Sequence, residues 1–201
     1  MVVIGLTGSI GMGKSATAQH FRSFGVPVHD SDRAVHDLYA GELIEPVGAL
    51  FPSTIRTNGI DRQALGQIVL NDAEAMRTLV QIVHPRVSAH RRRYVESCRA
   101  EGRRLVVCDV PLLLEVGAGR TVDVIVVVSA PLSVQKSRVL ARPGMTEERL
   151  DAIMRQQMPD AEKRRHAHST IDTSRGHPAA QRQVANLLRA LAAASGSNAD
   201  A

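Results

Sequence analysis

The chain opens on an apolar run, Met1 to Leu6, that breaks at once into a glycine-rich loop. A short unbroken apolar run bounded by a turn signal reads as a buried strand. From Lys14 to Phe24 the apolar residues Ala16, Ala18, Phe21 and Phe24 predict a helix, stopped by Gly25. Val26-Pro27-Val28 begins a second strand that ends near Asp30, and Asp32 is expected to cap a helix running to about Tyr39. The middle of the chain changes character. Glu42–Phe51, Arg62–Leu70 and Ala73–Val83 read as helices separated by the turn signals Thr57-Asn58-Gly59 and Asn71-Asp72, with no strand pattern among them. Pro85 is expected to open a further, basic helix that contains Arg91, Arg92 and Arg93.

Strands return with Leu105–Cys108, running into Asp109, and with Val122–Val128, which is almost wholly β-branched. Such continuous apolar runs suit strands covered on both faces, as in a parallel sheet. Helices are predicted over Pro131–Leu140 and Met145–Gln157. The second has Thr146 as its N-cap, and Glu147 and Glu148 favour the dipole of its first turn. Ser169–Thr173 is a short last strand and Ala179–Ala194 a closing helix, with a disordered tail from Ser195. Strands alternating with helices predict an α/β fold around a parallel sheet.

Composition narrows the function classes. The 201 residues are 44% hydrophobic and 22% charged, an ordinary globular mixture. No stretch approaches the roughly 20 apolar residues of a membrane span, and Val2-Val3-Ile4 is too short for a signal-peptide core, so a soluble protein of the cytoplasm is expected. Cys98 and Cys108 form no CxxC pair and read as reduced, buried thiols. The net charge of +5 is carried mainly by arginine, since the lysines are Lys14, Lys136 and Lys163 alone. A basic balance allows nucleic acid or a polyphosphate as partner. Aromatic residues make up only 2%, too few for stacking platforms, so no nucleic-acid and no membrane partner is expected.

The loop after the first strand decides more. Gly8-Ser9-Ile10-Gly11-Met12-Gly13-Lys14-Ser15 matches G-x-x-x-x-G-K-[ST]. The glycines let the backbone curl so that successive N–H groups face phosphate oxygens. Lys14 adds charge against the β- and γ-phosphates, Ser15 offers its hydroxyl to Mg²⁺, and the following helix points its positive end at the site. With glycine at about 7% of residues, chance gives such a match in roughly one chain of this length in a hundred. Here the match also lies between a strand and a helix, as its mechanism requires. N-K-x-D, the guanine signature, is missing, and the chain is short for a motor ATPase. A small-molecule kinase remains, which needs an acceptor site and a mobile cover.

Two acidic sites follow strand ends, where ligands bind in parallel sheets. Asp30 and Asp32 are candidates to orient an acceptor hydroxyl, take its proton, or hold Mg²⁺ through water; capping by Asp32 with a solvated Asp30 is the alternative reading. Asp109 ends the third strand in the position of a Mg²⁺-binding carboxylate. Arg138 and Arg142, at i and i+4, share a helix face, with Pro143-Gly144 as a turn beyond.

These segments together resemble the dephospho-CoA kinase family. Gly5 to Ser15 is similar to its opening, Val28-His29-Asp30-Ser31-Asp32 to its D-A-D segment, and Asp61-Arg62 with Leu65 to D-R-x-x-L. Val83-His84-Pro85 resembles H-P, Asp109 to Glu115 resembles D-x-P-L-L-F-E, and Gln135, Arg138 and Arg142 resemble Q-x-x-R-x-x-x-R. The resemblance spans about Val3 to Ile171. It implies a three-layer P-loop core (1–40 and 103–195), a helical region that receives the coenzyme (41–102), and a lid (136–158). It implies ATP-dependent phosphorylation of the ribose 3′-hydroxyl of dephospho-CoA, with Mg²⁺, by a monomer or weak homo-oligomer.

Carried over by residue, Asp32 is the base. Lys14, Arg138 and Arg142 act on the transferring phosphoryl group. Gly8, Gly11, Met12, Gly13, Lys14, Ser15, Ala16 and Thr173 bind ATP. Thr7, Asp32, Arg62, His84, Pro85, Leu112 and Glu115 serve the acceptor, and Ser15 and Asp109 the metal. Four positions depart from the family pattern: Ala16 replaces Thr, Leu114 replaces Phe, Ala167-His168 replaces A-D, and Thr173 replaces Asn. Adenine contacts near Thr173, Ser174 and Arg175 are the part left open.

Overall fold

The computed structural model describes residues 1–70 and 72–196. Its strands are β1 Val2–Thr7, β2 Val28–Asp30, β3 Ile55–Arg56, β4 Gly59–Ile60, β5 Leu105–Asp109, β6 Val124–Ser129 and β7 Ser169–Asp172. Its helices are α1 Lys14–Ser23, α2 Ser31–Tyr39, α3 Ile44–Leu50, α4 Arg62–Leu70, α5 Ala73–Ala100, α6 Leu132–Leu140, α7 Glu147–Gln156, α8 Asp160–His166 and α9 His177–Gly196. The expected tail beyond Gly196 lies outside the described residues. No described helix is long and apolar enough to cross a membrane.

The chain divides into two units, Met1–Val28 with Gly102–Ala201, and His29–Glu101. The family resemblance implies a first boundary at 40/41; by its contacts α2 goes with the second unit, where it packs on α5. The predicted parallel sheet is present, with strand order β2-β5-β1-β6-β7. β1 pairs in parallel with β5 and β6, and β7 extends the sheet beyond β6. The central strands are buried on both faces, which explains their unbroken apolar sequence. Ile4, Leu6, Val107, Val126, Val128 and Ile171 meet Phe21 of α1 and Val184 of α9 in one core. Each such side chain contributes about 1.5–3 kcal/mol on burial.

The unit His29–Glu101 has a core of its own, built from Leu38, Leu43, Val47, Phe51, Leu65, Val69 and Leu79. Here the structure corrects the sequence reading three times. Ile55–Arg56 and Gly59–Ile60 form an antiparallel hairpin around Thr57-Asn58 where no strand was expected. Two-residue strands are too short to show a period. Second, Pro85 opens no helix but lies inside α5, which runs 28 residues. Proline cannot donate to the carbonyl four residues back; the Arg86 guanidinium donates to the neighbouring Ile82 carbonyl at 2.9 Å. His84 is accordingly an exposed mid-helix residue. Third, the N-cap of α2 is Asp30, whose carboxylate accepts the Arg33 N–H at 3.0 Å. Asp32 sits in the first turn. In the other unit, the short charged helix α8 was not foreseen.

At the end of β2, His29 is only 3% exposed. Its Nε2 lies 3.0 Å from His90 Nδ1, and its ring meets the Tyr94 ring edge-on. Burial, with the neighbouring His90 and Arg91, lowers its pKa from 6.5 to about 4, against an opposing effect of Asp30. The unfolded chain then binds a proton near pH 6.5 that the folded chain refuses until about pH 4. Stability should therefore be full above pH 6.5 and fall by up to about 3 kcal/mol as pH drops through that window. Urea unfolding midpoints at pH 7 and pH 4.5 check this: the wild-type drop should shrink clearly in His29→Gln.

Candidate active site

The loop between β1 and α1 is held open by its own carbonyls. The Gly8 Cα lies so close to β6 that a Cβ there would stand 2.7 Å from the Val128 carbonyl oxygen. Gly11 and Gly13 have φ of 76° and 91°, which side chains with a Cβ resist. Ser9 O accepts the Met12 N–H, and Ile10 O accepts Gln135 Nε2 at 2.8 Å. The Gly11 carbonyl faces Arg138, and Met12 O takes the Thr173 hydroxyl at 2.8 Å. Gly13 O accepts both the N–H and the hydroxyl of Thr17. Among the described residues, the N–H groups of Gly11, Gly13, Lys14, Ser15 and Ala16 have no protein partner. With the carbonyls turned outward, these donors and the start of α1 form an anion cradle.

Lys14 Nζ lies 2.5 Å from Asp109 Oδ1, and Asp109 is 3% exposed. β5 delivers this carboxylate by pairing beside β1, with Leu6 opposite Asp109. The ammonium compensates a buried carboxylate that otherwise carries a large desolvation cost. The Ser15 hydroxyl is exposed and has no partner among the described residues.

Arg138 does not hang free in solvent. Its guanidinium donates to Thr173 Oγ1 and to the Thr173 carbonyl, each at 2.8 Å. Thr173 thereby stitches the end of β7 to the loop, and its hydroxyl is fully used. A cavity of about 190 Å³ lies beside it, lined by Gly13, Ala16, His20, Arg138, Arg142 and His177 among others. Burial and the nearby His177 ring lower the pKa of His20.

Two residues expected to meet the acceptor are otherwise engaged. Thr7 is fully buried and its hydroxyl donates to the Pro111 carbonyl at 3.0 Å. It ties β1 to the segment after Asp109. Glu115 Oε1 pairs with Lys163 Nζ at 2.8 Å and accepts the Met158 N–H at 2.9 Å. Burial alone would raise the Glu115 carboxyl; the Lys163 ammonium and the Met158 amide outweigh it and hold it below the usual range. Lys163 has no exposure at all, so both groups anchor α8. Leu112, by contrast, is 39% exposed and available to a ligand.

In the unit His29–Glu101, Asp32 is exposed, with no hydrogen bond or ion pair among the described residues. Asp30 does the capping, and Asp32 takes no part in it. Arg62 is exposed at the start of α4, which Asp61 caps through the N–H groups of Gln63 and Ala64. His84 and Pro85 are exposed on α5.

The family model for dephospho-CoA kinase matches residues 2–178. The chain belongs to the dephospho-CoA kinase family. Among curated relatives, the dephospho-CoA kinase of Mesorhizobium japonicum is 50% identical over 98% of this chain and 100% of its own length. That of Rhodopseudomonas palustris (strain HaA2) is 47% identical over 96% of each chain. Among solved structures, the protein TT1252 of Thermus thermophilus superposes with a TM-score of 0.81 at 34% identity, covering 94% of this chain and 96% of its own. The dephospho-CoA kinase of Campylobacter jejuni, at TM-score 0.66 and 21% identity over 94% and 96% of the two chains, shares the fold.

Within this dephospho-CoA kinase family member, Gln157, Asp160 and Lys163 are the residues that sequence reasoning missed. Their partners lie 147, 31 and 48 residues away, beyond any local pattern. One signal was present: in an arginine-rich chain, Lys163 stands beside Arg164 and Arg165, where a compact ammonium was evidently needed. Removing one partner of a buried ion pair costs about 3–5 kcal/mol. Glu115→Gln should lose stability of that order in urea unfolding. If Glu115 instead served only the acceptor, stability would hold and only the KM for dephospho-CoA would rise.

Proposed function

We propose that this member of the dephospho-CoA kinase family transfers the γ-phosphoryl group of ATP to the ribose 3′-hydroxyl of dephospho-CoA, giving CoA and ADP, with Asp32 taking the hydroxyl proton. The observation that carries the residue assignment is the division of labour between two neighbouring acids. Asp30 satisfies the helix terminus, and Asp32 keeps an exposed, unengaged carboxylate just beyond β2. Ligands of parallel sheets bind beyond the carboxyl ends of strands.

The nucleotide's phosphates take the free N–H groups of Gly11, Gly13, Lys14, Ser15 and Ala16. Their arrival gives Lys14 a second anionic partner, so its ammonium moves from Asp109 toward the β- and γ-phosphates. Asp109 and Ser15 are then the oxygen donors that face the metal, and hard oxygen ligands suit Mg²⁺. Mg²⁺, when bound with ATP, neutralises charge on the phosphate oxygens. The base of ATP enters the cavity beside Arg138 and His177. Gly8 and Met12 shape the loop, and Thr173 lines that cavity while holding Arg138.

On the acceptor side, Arg62 and His84 offer cationic or donor groups to the coenzyme, with Pro85 and Leu112 as apolar contacts. Asp32 accepts the 3′-hydroxyl proton as the oxygen attacks the γ-phosphorus in line and ADP departs. Arg142 balances charge on the transferring group, and closing the site keeps water from competing as acceptor. Both substrates are soluble anions, and we place the reaction in the cytoplasm.

General-base catalysis contributes about 10²–10⁴-fold. Asp32→Asn should therefore lower kcat by at least about 10²-fold while leaving ADP affinity, measured by calorimetry, close to wild type. Turnover that survives nearly intact would remove Asp32 from the mechanism.

A further inference from the structure

Residue Ile10, in the middle of the phosphate loop, is gripped through its main chain at both ends. Its N–H donates to Gln157 Oε1 at 3.0 Å, and its carbonyl accepts from Gln135 Nε2 at 2.8 Å. Gln135 lies in α6 and is 2% exposed; Gln157 follows α7 directly. The two stems of the α6–α7 hairpin thus close on one loop residue. Gln157 is itself fixed, because the next N–H, that of Met158, is bonded to Glu115, which pairs with the buried Lys163.

Peptide planarity turns this grip into a statement about phosphate binding. In a trans peptide the C=O and the following N–H point in opposite directions. Holding the Ile10 carbonyl toward Gln135 therefore aims the Gly11 N–H the other way, among the free donors of the cradle. Holding the Ile10 N–H toward Gln157 likewise aims the Ser9 carbonyl back across the loop, where it accepts the Met12 N–H at 3.1 Å. Glycine at 11 has no Cβ to resist rotation of that peptide, so the side-chain amides supply the constraint.

We propose that Gln135 and Gln157 are positioning residues: a donor and an acceptor that fix the Gly11 N–H for the nucleotide's phosphates and tie nucleotide affinity to the α6–α7 hairpin. The roles are of opposite polarity. Gln135 must donate, which a glutamate cannot do when ionised; Gln157 must accept, which a glutamate does equally well. Glutamate at either position adds the same charge against the same residue, so the pair of variants separates hydrogen-bond polarity from electrostatics.

The proposal rests on the nucleotide half of the reading above and not on the acceptor. Its test is the calorimetric Kd for ADP, with KM for ATP and for dephospho-CoA beside it. Gln135→Glu and Gln157→Leu should each weaken ADP by about tenfold, the cost of an unmet polar group. Gln157→Glu should regain most of what Gln157→Leu loses. KM for ATP should rise in parallel while KM for dephospho-CoA stays put, whereas simple loss of folded enzyme would lower kcat and move neither KM. Two glutamates that weaken ADP equally, or a Gln157→Leu variant that binds ADP as wild type does, would overturn it. If the buried Gln135→Glu variant does not fold, the Gln157 pair decides alone. ADP binding that follows this pattern in a protein inactive on dephospho-CoA would sink the acceptor assignment and leave this one standing.

Discussion

A phosphate loop works only if its backbone donors face the ligand, and they can do so only if its carbonyls are satisfied elsewhere. In this protein each carbonyl from Ser9 to Gly13 has a named partner: the Met12 N–H, Gln135, Arg138, the Thr173 hydroxyl and Thr17. Apart from Met12, which belongs to the loop itself, those partners come from α1, α6 and the end of β7. The sheet must set β1 next to β6 and β7 next to β6 for them to arrive. The order of strands is thus a condition for turning a string of glycines into a cradle, beyond any support it gives the core.

The same logic explains the ion pairs. Lys14 and Asp109 form a pair at the phosphate loop in which the carboxylate is the more deeply buried partner, 4% exposed against 15% for the Lys14 side chain. Glu115 and Lys163 form one in which the ammonium is the buried partner and has no contact with solvent. A buried ion pair adds little net stability, yet breaking it is costly. Such a pair suits the job of holding α8 and the Met158 backbone in one place. The mobile parts of a kinase need a fixed point to move about, and this pair lies beside the end of α7.

The parts of the fold read most easily were those coded locally. The P-loop announces itself because the turn, the charge and the helix start all lie within eight residues, Gly8 to Ser15. The central strands were visible because burial on both faces forces an unbroken apolar run. Failures came where the deciding contact was distant or the element too short. Asp30 and Asp32 both suit a helix start, and only the point at which the chain leaves β2 tells which one caps. Pro85 reads as a helix opening because proline favours the first turn, but α5 passes through it with its apolar face already packed on α2 and α4. Glu115 and Thr7 looked available because the sequence shows neither Lys163 nor the Pro111 carbonyl beside them. The candidates Lys14, Asp32 and Asp109 were legible as residues, whereas the pairing of Lys14 with Asp109 was not.

The measurement that bears most directly on the account is phosphoryl transfer from Mg·ATP to a panel of acceptors: dephospho-CoA, AMP, adenosine and a short RNA. ADP release should occur with dephospho-CoA alone, and the product should be heavier by one phosphate, located by phosphorus NMR on the ribose 3′-oxygen. Equal turnover with another acceptor, or none with dephospho-CoA from folded protein that binds ADP, would contradict it.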